Sequence, residues 1–304
     1  MTSTLILLSL FFMACTSYAN EPLPVKVPKK LMQQLKSFEP SAIQYLSTTD
    51  NYLVAIDDTT EEDAPMLFLM DQEGNVDKEP VVIEGLSKMT DIESLSQENG
   101  YIYAMSSQSR NKKGKILKER NLFVRGKLSG HTLGETKIIE LRIELIKALS
   151  AVTDTRVSSM QANFDKLIEI ESHYVKNGLV YVGLKDSQSR AGVGLVLELG
   201  KADAIFAQGK LDPAQVRVSA ELDFAKFGGT EKISDISLQK DGSLLVAATL
   251  EDGGGSIWTY DGKNLSLVIS YETERPEGIT FSADGKVIVV FDQGDEAPLY
   301  TYLR

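Results

Sequence analysis

Thr90-Asp91-Ile-Glu93-Ser-Leu-Ser-Gln-Glu-Asn99-Gly100-Tyr-Ile-Tyr-Ala-Met-Ser-Ser107-Gln-Ser-Arg110 decides how the rest of the chain is read. An acidic pair opens a short apolar strand, Asn99-Gly100 reverses it, an aromatic-alternating strand follows, and a polar loop ends it. Asn-Gly between two alternating runs marks a hairpin, because a type I′ turn needs positive φ at both central residues. The phrase returns as Glu169-Ile-Glu171-Ser-His173-Tyr-Val-Lys-Asn177-Gly178-Leu-Val-Tyr-Val-Gly-Leu-Lys-Asp-Ser187-Gln-Ser-Arg190. Acidic pair, Asn-Gly and Ser-Gln-Ser-Arg recur at nearly equal offsets, so the chain is built from a repeated unit.

Outward from these two copies the same beats continue. Tyr52–Ile56 and Met66–Met70 read as second and third strands of an earlier repeat that opens near Glu39-Pro40-Ser41, with Val81–Ile83 as its fourth. Third strands follow at 121–125, 194–198, 256–260 and 298–302, and fourth strands at 137–141, 215–219 and 265–269. First strands of the last two repeats begin near Ser234-Asp235 and Arg275-Pro276-Glu277. Short apolar or alternating runs split by Gly, Asn and Asp are strands joined by hairpins. Four-stranded sheets repeated in this way predict an all-β, five-bladed β-propeller. A sixth blade hidden in irregular sequence is the alternative. The fifth repeat stops after its third strand, and a strand near Val25–Val27 is expected to complete it and close the ring.

Residues 1–19 contain no charged side chain and end in Ser-Tyr-Ala, which reads as a signal peptide ahead of a single domain over 20–304. Cys15 follows Phe-Met-Ala, a poor lipoprotein box, and is the only cysteine in the 304-residue chain. A periplasmic or secreted protein without disulfides is expected, a monomer with no membrane span. The net charge of −11 argues against nucleic acid and anionic membranes as partners and is compatible with a cation. Between the second and third repeats, about 142–167, Ile143, Ile146, Leu149 and Val152 have helical spacing, which predicts a helical insertion.

Chemistry concentrates where first strands begin and where second strands end, because these points share one face of a propeller. The first location holds Asp91 and Glu93, Glu169 and Glu171, Asp235, and Glu277; the second holds Ser107–Arg110, Ser187–Arg190, Asp57-Asp58 and Asp292–Asp295. Glu93, Glu171 and Asp235 each lie six residues before an Asn or Asp, and Glu277 lies seven before. Carboxylates gathered in a narrow channel repel one another unless a positive charge sits among them. Three readings stay open. Glu93, Glu171, Asp235 and Glu277 hold a hard cation such as Ca2+; Arg110 and Arg190, with Asp91, grip a small polar molecule or protein ligand; or the acids accept backbone N–H bonds and weld blades together. His173, two residues after Glu171, is the candidate general base, whereas His131 belongs to a solvated turn. No nucleophile-elbow, metalloprotease or phosphate-loop motif occurs. Gly253–Gly255 is a turn with no helix after it, and Asn264-Leu-Ser266 is an isolated glycosylation sequon.

Asp91-Ile-Glu93-Ser-Leu95, Ser-Gln-Ser-Arg110-Asn-Lys-Lys-Gly, Glu119-Arg120-Asn-Leu-Phe, Glu169-Ile-Glu171-Ser and Pro276-Glu277-Gly278-Ile279 resemble the phrases of an uncharacterised family of bacterial exported propellers, across most of the chain after the leader. The chain departs from that pattern at Ser94 and Ser172, where the family has Gly, and at Gln108, where it has His. The wider set it resembles includes phytase-like and esterase-like propellers and lactonases, several with calcium in the channel. Two functions are therefore implied: a binding propeller with an acidic channel mouth, or a calcium-assisted hydrolase of phosphoesters, esters or lactones.

Overall fold

The structure, a computed structural model, describes residues 21–35, 37–57, 66–158, 160–185, 190–294 and 297–303. The expected leader with Cys15, Asp58, Ser187–Ser189 and Asp295 lie outside the described residues. Blade one is β2 (Pro40–Leu46), β3 (Asn51–Ile56), β4 (Leu67–Met70) and β5 (Val76–Pro80), after an N-terminal strand β1 (Leu23–Pro24). Following β6 (Val82–Ile83), blade two is β7 (Ile92–Glu98), β8 (Tyr101–Ser106), β9 (Leu122–Ser129) and β10 (Thr132–Glu140). Blade three is β11 (Ile170–Lys176), β12 (Leu179–Leu184), β13 (Val193–Lys201) and β14 (Arg217–Asp223). Blade four is β15 (Lys232–Leu238), β16 (Leu244–Thr249), β17 (Gly255–Tyr260) and β18 (Leu265–Tyr271), and blade five β19 (Arg275–Phe281), β20 (Val287–Asp292) and β21 (Leu299–Leu303). First strands touch in the order β2, β7, β11, β15, β19 and back to β2, a closed ring around a central axis. This is a five-bladed β-propeller.

The Asn-Gly turns form as the sequence predicts. Asn99 and Gly100, and Asn177 and Gly178, all adopt positive φ, between 52° and 79°. Blade five has the order β1-β21-β20-β19, so an N-terminal strand completes it. The pairing lies two residues before the expected place: Leu23 faces Tyr300 and Pro24 faces Leu299. Lys26 has already crossed to blade one, where its N–H donates to Gly74 O and its carbonyl accepts from Val76 N–H. The stretch from Leu23 to Lys26 therefore ties blade five to blade one.

Val81–Ile83 is not the fourth strand of blade one. That place is taken by β5, and Val82–Ile83 runs parallel to β10 as an outer fifth strand of blade two. The reason is exposure: the outermost strand of a blade faces water, so Val-Asp-Lys-Glu-Pro carries no apolar run to mark it. Five separate clusters of buried side chains fill the wedges between neighbouring blades. Burial there, at about 25 cal/mol per Å2 of apolar surface, drives the ring closed.

The insertion is helical at Leu141–Ala151, Thr155–Ser158 and Phe164–Leu167. Its buried stripe is Leu141, Leu145, Ala148 and Leu149, which pack into the wedge between blades two and three. Ile143, expected on that stripe, is 56% exposed. Mixed steps of three and four keep side chains on one face, whereas a run of threes drifts around the helix. Among the described residues no helix is long and apolar enough to cross a membrane.

Candidate functional site

Every first strand begins with the same irregularity. The register against the second strand slips at Ser41, Glu93, Glu171, Ser234 and Glu277. A β-bulge of this kind re-aims the side chain of its extra residue. The three glutamates line a cavity of about 100 Å3 at one mouth of the channel, beside Ser41, Glu39, Asp57, Lys185, Arg275 and Asp292. The two serines instead turn to the next blade: Ser41 Oγ donates to Ile92 O and Ser234 Oγ to Pro276 O.

The bulge corrects the alignment of Asp235. Asp235 lies one residue after the bulge, equivalent to Ser94 and Ser172 and not to the glutamates. In blades two and four the side chain at that step binds the backbone of the neighbouring blade. Ser94 Oγ accepts from His173 N–H at 2.6 Å, and Asp235 accepts from Ile279 N–H and its neighbour Ile236 N–H, both at 2.8 Å. In blade five the step is Gly278, where a Cβ would stand 3.0 Å from Ile43 N. Asp235 is thus a weld between blades four and five and does not line the cavity, although the charge of Glu277 reaches it.

Lys185, which no repeated phrase marks, places a positive charge among the acids. Its Nζ lies 3.1 Å from Glu171 Oε1 and 3.3 Å from Glu169 Oε1. Burial alone would lower the lysine pKa, but Glu171, Glu169, Glu93 and Glu277 together raise it above its usual value, so it stays charged. Arg275 Nη2 lies 3.4 Å from Glu277 Oε1. The acids still outnumber these cations. Burial pushes Glu171 up to about 8, against the pull of Lys185, and Glu277 up to about 7, against Lys185 and Arg275. Glu93 is raised well above the carboxylate range by burial and then by the charges of Glu171, Asp57 and Asp91.

At the same mouth, oxygens of Asp57, Asp91 and Glu93 lie within 4.8 Å of one another. Burial and then the charge and hydrogen bond of Asp91 push Asp57 up to about 7, against the pull of Arg120. Asp91 Oδ2 accepts from Ser107 Oγ and from Arg120. Asp91 and Gln108 both adopt left-handed φ, 58° and 61°, a strained backbone that this loop contact holds in place.

The two expected ligand arginines point elsewhere. Arg110 binds Asp165 of the insertion and donates to Gly114 O at 2.7 Å. Arg190 pairs with Asp223 at 2.7 Å and Glu221 at 3.4 Å. Buried Arg142, donating to Gln108 O and Asp165, ties the insertion to the Ser107–Arg110 loop. His173 is fully buried, its Nε2 2.8 Å from Ser96 Oγ and its ring edge-on to Phe123. Burial drives its pKa down to about 3 with no carboxylate to oppose it, so it is neutral and poorly matched to a base at pH 7. His131 Nε2 meets Asp77 Oδ2 at 3.0 Å on the blade rim.

No protein-family model matches the sequence, and no curated protein does. Solved structures show only a distant likeness of fold. A mannose phosphorylase from Leishmania mexicana is 12% identical with a TM-score of 0.49, over 94% of this chain and 88% of that one. A glucose dehydrogenase is 12% identical with a TM-score of 0.47, over 88% of this chain and 98% of that one. A luciferin-regenerating enzyme is 11% identical with a TM-score of 0.44, over 92% and 95%.

Proposed function

We propose that the protein is an exported binding propeller whose acidic channel mouth holds one hard divalent cation, calcium being the natural choice, with Asp57, Asp91 and Glu93 as its ligands. The observation that carries this reading is the meeting of three carboxylates within 4.8 Å of one another, a negative charge that the Arg120 ion pair on Asp91 and the field of Lys185 on Glu93 offset in part. Calcium takes oxygen ligands at roughly 2.3–2.6 Å, so oxygens on opposite sides of one ion stand about 4.6–5.2 Å apart, which suits this spacing. The cavity of about 100 Å3 has room for an ion and water but falls below the roughly 300 Å3 at which small-molecule sites begin. A bound cation would supply positive charge that favours the ionised form of Asp57, whose carboxyl burial and Asp91 push up to about 7.

The calcium-assisted hydrolase is the weaker reading, since His173 is neutral, bonded to Ser96 and apart from the acids, and Arg110 and Arg190 are engaged away from the mouth. Calcium titration calorimetry at pH 8 tests the proposal. One ion per chain is expected in the wild type, none in the double variant Asp91→Asn with Glu93→Gln, and an unchanged isotherm in Asp235→Asn. Absence of calcium heat in the wild type, together with no binding of magnesium or manganese, would overturn it.

A further inference from the structure

At the far end of the channel, among the hairpins that join first to second strands, the first strands enclose a second cavity of about 470 Å3. That volume is within the roughly 300–1,000 Å3 of small-molecule sites. Two residues beyond each bulge the five blades place Ile43, Leu95, His173, Ile236 and Ile279. The last four line the cavity. Four sister positions are aliphatic and one is an imidazole, so packing alone does not account for the histidine.

His173 is 0% exposed, and its Nδ1 has no hydrogen-bond partner among the described residues while Nε2 is taken by Ser96. Buried polar atoms are seldom left unpaired, and an exception calls for an explanation. Tyr45, Tyr174 and Phe281 add aromatic wall, with Gln44, Gln97 and Lys240 among the polar lining, while the lining Asp241 is bonded to Ser243. Nothing in this cavity offers an ion a partner comparable to the acids of the opposite mouth.

We propose that this cavity binds a neutral, mainly apolar small molecule bearing one hydroxyl, with His173 Nδ1 as the polar anchor. The aliphatic collar recognises the apolar body. A hydroxyl both donates and accepts, so it satisfies Nδ1 whichever tautomer Ser96 selects. The site is independent of the cation reading and stands on the other face of the ring.

The sequence has only two histidines, so imidazole 15N NMR with a His131→Gln control assigns the His173 ring directly. Titration with 4-propylphenol is expected to shift the His173 nitrogens saturably, with half-saturation below roughly 1 mM. His173→Leu, which installs the residue that blade two carries at position 95, is expected to weaken the phenol at least tenfold, as is His173→Phe. Propylbenzene, which lacks the hydroxyl, should bind wild type and variants alike. His173 signals that stay unmoved up to the solubility of the phenol, or variants that bind it as tightly as wild type, would overturn the proposal.

Discussion

Replacing Lys185 with methionine should cost about 3 kcal/mol at pH 8 in urea unfolding, because it leaves Glu169 and Glu171 close together and unpaired. The loss should shrink at pH 5, where the carboxyls can protonate instead; an equal loss at both values would mean that Lys185 acts through packing. Asp235→Ala should cost about 2 kcal/mol by removing an acceptor for Ile279 and Ile236 N–H, with calcium binding unchanged. The acids at Glu93, Glu171 and Glu277 are legible in the sequence because they recur before each hairpin. Lys185 is not, since its counterparts facing Glu39, Asp91 and Arg275 are Asp57, Ser107 and Asp292, and nothing in the letters says which of these turns inward. Asp235 misleads for a different reason. Blade four turns through a longer loop between Leu238 and Leu244 than the Asn-Gly hairpins of blades two and three, so counting back from its turn lands one residue past the bulge.

At the level of strands and helices, the Asn-Gly turns and first strands are readable because their chemistry is local. The outer strands are harder, as β5 shows: a strand half in water needs no apolar pattern, so the apolar Val81–Ile83 drew the assignment and β6 was mistaken for it. The helical stripe failed at Ile143 because a spacing of three also fits short helical runs. The buried member is Leu145, fully enclosed between blades two and three. Leu145→Ala should therefore cost about 3 kcal/mol and Ile143→Ala less than about 0.5 kcal/mol, a contrast that urea unfolding measures. The seam makes its own prediction. Deleting residues 21–26 removes β1 and the Lys26 bonds to blade one, exposes the edge of β21, and should lower the melting temperature and promote association on size-exclusion chromatography.

Over the whole molecule, ring closure converts three bulge glutamates from distant repeats into one charged mouth, and that charge makes stability depend on pH. Glu171 at about 8 and Glu277 at about 7 bind protons in the folded state that the unfolded chain releases near the ordinary carboxylate value. Their contribution is fully present below that ordinary value and is lost as pH rises through 7 to 8. Without divalent cations the melting temperature should accordingly fall, by on the order of 10 °C, between pH 5 and pH 8. A cation at Asp57, Asp91 and Glu93 supplies the missing charge and should restore much of that loss. The most direct measurement is a pair of melts at pH 8, one in millimolar calcium and one in chelator, repeated at pH 5. A clear rise with calcium is expected at pH 8 and a much smaller one at pH 5; melts that coincide in calcium and chelator at both pH values would rule out a cation at the acidic mouth.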